Sequence, residues 1–193
     1  MAWTIRNEAD KAILAEIKKQ TDRGAALIAN AYLEERLTDA IKARLVRDET
    51  LENNLFKGSG PLASLSARIN MGFLLGIYEE DIRRFLHTLR NIRNAFAHRP
   101  EPMNFETQKI KDLCSNIDIN IQTELHFTTP DGTVTDVNFK LRSDGTPKTA
   151  FLNMTQYLLL ILDMEINIAP RREPAPPVFQ SLVKPFLESN EKS

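Results

Sequence analysis

The chain has 193 residues, a formal net charge of −1 and an isoelectric point near 6.3. That length fits one domain with a sizeable core, and the balanced charge excludes a protein that coats nucleic acid or an anionic membrane over its whole surface. A single cysteine, Cys114, excludes an intramolecular disulfide and a cysteine-based structural zinc site, and suits a reducing cytoplasm.

The opening MAWTIRNEAD is charged within a few residues and does not read as a signal peptide. Residues 5–20 then place Ala9, Ile13, Leu14 and Ile17 on one helical stripe, and Thr21, Asp22 and Gly24 offer a break or a cap. The second run, AALIANAYLEERLTDAIKARLV, spaces Leu33, Leu37, Ile41 and Leu45 four apart, with Glu34, Glu35 and Asp39 toward the other side. In LFKGSGPLASLSARINMGFLLGI, Gly58, Ser59 and Gly60 predict a flexible loop, Pro61 suits the first turn of a helix, and Leu62, Leu65, Ile69 and Phe73 line a core stripe. A phosphate-loop reading of these glycines fails, because the required Lys-Ser/Thr pair and a preceding strand pattern are both missing.

From Glu79 onward Ile82, Phe85, Leu86, Leu89, Ile92 and Phe96 keep helical spacing, with Glu79, Glu80 and Asp81 at the start, where the helix dipole favours them. A short helix follows over 105–114. The period then changes: Leu125 and Phe127, then Val137, Phe139 and Leu141, alternate with polar residues around Pro130-Asp131-Gly132, which predicts a hairpin at about 121–142. Thr146 and Pro147 cap and begin a last long helix whose buried face is Phe151, Met154, Leu158, Ile161 and Leu162. Being apolar nearly all round, that helix belongs at the bundle centre or at a subunit interface. The longest apolar run, Tyr157 to Leu162, is too short to span a bilayer.

The expected organisation is thus one helical domain over 1–169, mainly α, with about five or six helices and the small hairpin. Residues 170–193 hold five of the ten prolines and read as a Pro-rich, disordered tail in which Val178, Phe179, Leu182, Val183 and Phe186 could dock on the body or on a partner.

Between Ile82 and Arg99 stand five arginines, two histidines and no acid, a local cationic patch that the average charge conceals. On a helix turning about 100° per residue, His87, Asn91, Asn94 and His98 share a narrow strip with Arg90 on its shoulder, while Arg93 points away from His98. Histidine can move a proton near neutral pH, arginine can hold a phosphate at two points, and asparagine can orient either, a set suited to phosphodiester cleavage. The structural alternative pairs the arginines with Glu34, Glu35 and Asp39 across helices and leaves His98 as a cation at a helix C-terminus. No metal-ligand spacing links His87, His98 and His126, and no serine or cysteine nucleophile motif occurs, so neither a metal nor a cofactor is expected.

The stretch DRGAALIANAYLEERLTDAIKARL, then LFKGSGPLASLSARINMGFLLGI and LRNIRNAFAH, resembles the mannitol operon repressor (MltR-like) family over roughly residues 20–100, most specifically in Gly-Pro-Leu-x-x-Leu-Ser-x-Arg and Arg-Asn-x-Phe-Ala-His. The last motif is also similar to the HEPN signature, an arginine followed four to six residues on by a histidine, met here by Arg93, Asn94 and His98. The first resemblance implies a cytoplasmic bacterial transcriptional regulator, and with no groove-reading element in the sequence it would act through a protein partner. The second implies a HEPN-like bundle, a homodimer through helix 79–98 and a metal-independent endoribonuclease, or an inactive dimeric scaffold. In the ribonuclease Arg93, Asn94 and His98 would be catalytic, while Arg83, Arg84, Arg90 and Arg99 are the candidate nucleic-acid contacts.

Overall fold

A computed structural model describes residues 8–98, 102–118, 121–128 and 134–168, with side chains over 12–98, 102–118 and 141–167. Seven helices run through the described residues: α1 (Glu8–Lys19), α2 (Asp22–Arg44), α3 (Glu49–Phe56), α4 (Leu65–Leu74), α5 (Glu80–His98), α6 (Gln108–Ser115) and α7 (Pro147–Ile168). The backbone of β1 (Ile121–Thr128) runs antiparallel to β2 (Val134–Leu141), with Leu125 opposite Val137. The turn read at Pro130-Asp131-Gly132, the tail after 169, Arg99 and the strand side chains other than that of Leu141 lie outside the described residues.

The helix starts follow local chemistry. Thr21 Oγ1 accepts from Gly24 N at 3.2 Å and starts α2; Thr146 Oγ1 accepts from Thr149 N at 3.3 Å and starts α7. Three points differ from the sequence expectation: a helix beyond those expected, and the starts of α4 and of α6, the latter beginning at Gln108 with Phe105 in the turn before it. A further helix, α3, forms where Asp48 Oδ1 caps Leu51 N at 2.9 Å; its eight residues are too few for a clear apolar period. Farther on, Pro61 lies in a turn rather than in a helix, because Ser64 Oγ caps Ala67 N at 3.2 Å and α4 begins only at Leu65. Gly60 is fixed by close approach instead of by a ligand: a Cβ there would collide with the carbonyl oxygens of Asn54 and Leu55.

The central helix is α2. Ala25, Ala26, Ala29 and Ala40 are fully buried, and their small side chains let α1, α4, α5 and α7 pack around it. Leu33, Leu37 and Ile41 complete its core stripe. Buried Asn30 donates to Leu89 O of α5 at 3.2 Å, so the α2–α5 contact contains a polar fastening inside an apolar seam. On the other side Phe105, in the turn before α6, stacks between Phe96 of α5 and Phe151 of α7, with ring centroids 5.3 and 5.2 Å away. Asp22 locks this corner by accepting from Phe105 N at 3.0 Å and from Lys148 Nζ at 2.9 Å. Along α7, Phe151, Met154, Leu158 and Leu162 are buried and Ile161 partly so, which places one face of the helix in the core.

Phe73 departs from the expected stripe. It is 36% exposed and its neighbour Leu74 is 77% exposed, because α4 ends there and the Gly76 turn, at φ +66°, carries the chain on to α5. No helix among the described residues is long and apolar enough to cross a membrane.

Candidate functional site

Helix α5 owes its position to Ile82, Leu86, Leu89, Ile92, Ala95 and Phe96, all buried. Burying that face fixes the opposite one. Asn91 and His98 are exposed, while His87, Arg90, Arg93 and Asn94 are half-buried.

At the N-terminal end the arginines are neutralised within the helix. Arg83 grips both carboxylate oxygens of Glu80, at 2.7 and 2.8 Å, and Arg84 pairs with Asp81. The Arg83 hydrogen bond is the main reason the Glu80 carboxyl is held below its ordinary range. Arg83 also lies over the Phe73 ring, 5.1 Å from its centroid, and donates to Asn70 Oδ1 at 3.3 Å. His87 Nε2 meets the same Asn70 oxygen at 3.3 Å. Burial, then the nearby Arg83 and Arg90 charges, push the His87 imidazole below its usual range and keep it neutral at pH 7.

The C-terminal half is different. Arg93 Nη1 donates to Asn94 Oδ1 at 3.1 Å and Arg90 Nη1 to Asn91 Oδ1 at 3.5 Å. Both guanidinium groups therefore reach toward the exposed strip, yet an amide oxygen orients a cation without cancelling its charge. Neither arginine has a carboxylate partner among the described residues. The ion pairs expected from Glu34 and Asp39 go elsewhere: Glu34 pairs with Arg68 of α4 at 3.0 Å, and Asp39 lies 3.9 Å from Arg36, its neighbour on α2. Glu35 is exposed. Interhelical ion pairing thus does not account for the α5 arginines.

Of the residues proposed for catalysis, Arg93 and Asn94 are brought together, whereas His98, the last residue of α5, bonds to neither among the described residues. Asn70 and Phe73 join the surface from α4, with exposed Leu74 next to Phe73 in the chain, and no spacing in the sequence marks them as neighbours of α5.

A separate groove of about 380 Å³ lies between α6 and the start of α7, lined by Lys111, Cys114, Asp118, Thr146 and Ala150 among others. Its chemistry is quiet. Lys111 is paired with Glu106 at 2.8 Å, and burial, with Asp118 nearby, pushes the Cys114 thiol up to about 12, leaving it protonated and unreactive. Among the described residues no three His, Cys, Asp or Glu side chains gather as a metal-ligand set.

Comparison with known proteins gives no match to any family model, any curated protein or any solved structure.

Proposed function

We propose that this is a cytoplasmic bacterial regulatory protein of the mannitol-repressor type, a HEPN-like bundle with β1–β2 inserted between α6 and α7. It acts on transcription through protein contacts made by α5 rather than by reading DNA. The observation that carries this lies on α5, where half-buried Arg90 and Arg93 bond to asparagines beside the exposed strip without a neutralising carboxylate among the described residues. A solvated helix face ordinarily intersperses both signs of charge. A strip of one sign, on a helix whose other face is sealed in the core, favours a partner.

The test is recovery of the tagged full chain from its own cell lysate with RNase inhibitor present. A stoichiometric protein partner, with total RNA left intact in EDTA, is the expected result. Recovery of the chain alone would overturn the reading.

A second reading, the metal-independent endoribonuclease, is favoured by Arg93, whose guanidinium has no carboxylate partner among the described residues and is free to take a phosphate. On an ideal helix Arg93 and His98 point to well-separated sides, so this activity requires a homodimer in which one copy supplies Arg93 and the other His98. Mixing Arg93→Ala with His98→Ala protein would then restore cleavage that neither variant has alone. The regulatory reading predicts no cleavage by wild type, by either variant or by the mixture.

A further inference from the structure

The cationic strip does not end in water at its N-terminal side. Arg83 is stacked on Phe73, and Phe73 with Leu74 forms an exposed apolar step at the end of α4. Leu74 is the most exposed large hydrophobic side chain described, and an apolar step bordered by charged groups is the pattern of a contact surface. Arg83 and Arg84 bring almost no net charge to this end, because Glu80 and Asp81 neutralise them. The surface therefore has polarity along its length: apolar at Phe73 and Leu74, cationic at Arg90 and Arg93.

We propose that this surface holds an acidic segment of a partner protein, with one bulky apolar side chain seated on Leu74 and Phe73 and a pair of carboxylates on Arg90 and Arg93. This rests on the regulatory reading above and names the chemistry of its partner. From Arg83 to Arg90 the helix rises about 10 Å, which an extended chain covers in about three residues. The matching segment is thus an apolar residue followed three or four positions later by Glu or Asp. Charge complementarity selects this occupant over a second copy of the chain: two such strips face to face would bring four guanidinium groups together, none with a carboxylate partner among the described residues.

The probe is a fluorescein-labelled twelve-residue peptide with one leucine and, three positions on, two glutamates, added to the full chain and followed by anisotropy. Controls are the same peptide with serine for leucine, and a twelve-nucleotide oligouridylate. Expected is tighter binding of the leucine peptide than of the serine peptide, weakening with salt and falling about tenfold or more in Arg90→Glu. Leu74→Ser, at a site too exposed to matter for folding, should erase the preference for leucine while leaving the salt dependence. Four outcomes overturn the proposal: no leucine preference in wild type, a preference that survives Leu74→Ser, tighter binding of the oligouridylate that is lost in Arg90→Glu, or a homodimer that Arg90→Glu dissolves. A stoichiometric lysate partner recovered alongside any of these would keep the regulatory reading and discard only this chemistry.

Discussion

Arg68 is the residue on which the middle of the chain turns. Its side chain, 13% exposed, donates to Leu62 O at 2.7 Å, Phe56 O at 3.0 Å, Ala63 O at 3.3 Å, Thr38 Oγ1 at 2.9 Å and Glu34 Oε1 at 3.0 Å, and lies over the Phe56 ring. One planar fork thereby closes the α3–α4 turn and ties it to α2. Arg68→Ala should cost about 3 kcal/mol in urea unfolding, because the buried partners lose their donor at once; Arg68→Lys should recover only part, since an ammonium cannot span the same acceptors. Gly72 is a second point of close fit: an added Cβ would run into the Tyr78 hydroxyl and ring, while that hydroxyl donates to Ile69 O at 2.7 Å. Gly72→Ala should destabilise by about 1–3 kcal/mol, with part regained by adding Tyr78→Phe. The sequence displays Arg68 inside Gly-Pro-Leu-x-x-Leu-Ser-x-Arg but not its role, which depends on acceptors from three separate segments.

His87 gives a pH dependence with a defined sign. Its folded pKa is lowered, so the unfolded chain binds the proton more readily, and stability falls as pH drops through the ordinary histidine range toward the lower folded value. Melting temperature measured between pH 8 and 5 should decline on the acid side, and His87→Gln should flatten that part of the curve. A wild-type curve already flat from pH 7 to 5 would remove the burial and arginine fields from the account. Glu80 and Asp144 act at lower pH: both carboxyls are held below their ordinary range, so their contribution is lost only when acid protonates them.

Among the elements, the corner formed by α2, α6 and α7 depends on Asp22 at the start of α2. Phe105 N and Lys148 Nζ both bond to this carboxylate, across 83 and 126 residues of sequence. Asp22→Ala should cost about 1–2 kcal/mol and speed hydrogen exchange at the Phe105 amide, with the Phe96–Phe105–Phe151 packing retained. Helix positions were largely legible because periodicity and capping are local properties. Thr21, Thr146 and the stripes of α2, α5 and α7 all announced themselves. Where the reading failed, a nonlocal or very short signal was at work: α3 is eight residues long, and Pro61 lost the start of α4 to Ser64 three residues later.

At the scale of the whole molecule, α2 is the hub on which α1, α4, α5 and α7 pack, and the face of α5 turned away from the hub leaves Asn91 and His98 exposed. This arrangement separates stability from contact. Asn91→Ala and His98→Ala, on the exposed face, should leave the melting temperature within about a degree or two, consistent with surface substitutions worth under about 0.5 kcal/mol. Either variant unfolding cooperatively at much lower temperature would make the strip a structural element.

The sequence by itself determined a mainly helical protein, most of its helices and their core stripes, and the arginine-rich helix that is its candidate site, because each of these is written in the spacing and caps of neighbouring residues. Only the tertiary structure decided what those arginines meet. Glu34 is committed to Arg68, Asp39 to its own helix and Arg83 to Glu80, which leaves Arg90 and Arg93 on asparagines and puts Phe73 and Leu74 at the edge of the strip. These assignments follow from which side chains packing brings within hydrogen-bond distance, and that depends on how separate helices stack rather than on the order of residues within any one of them.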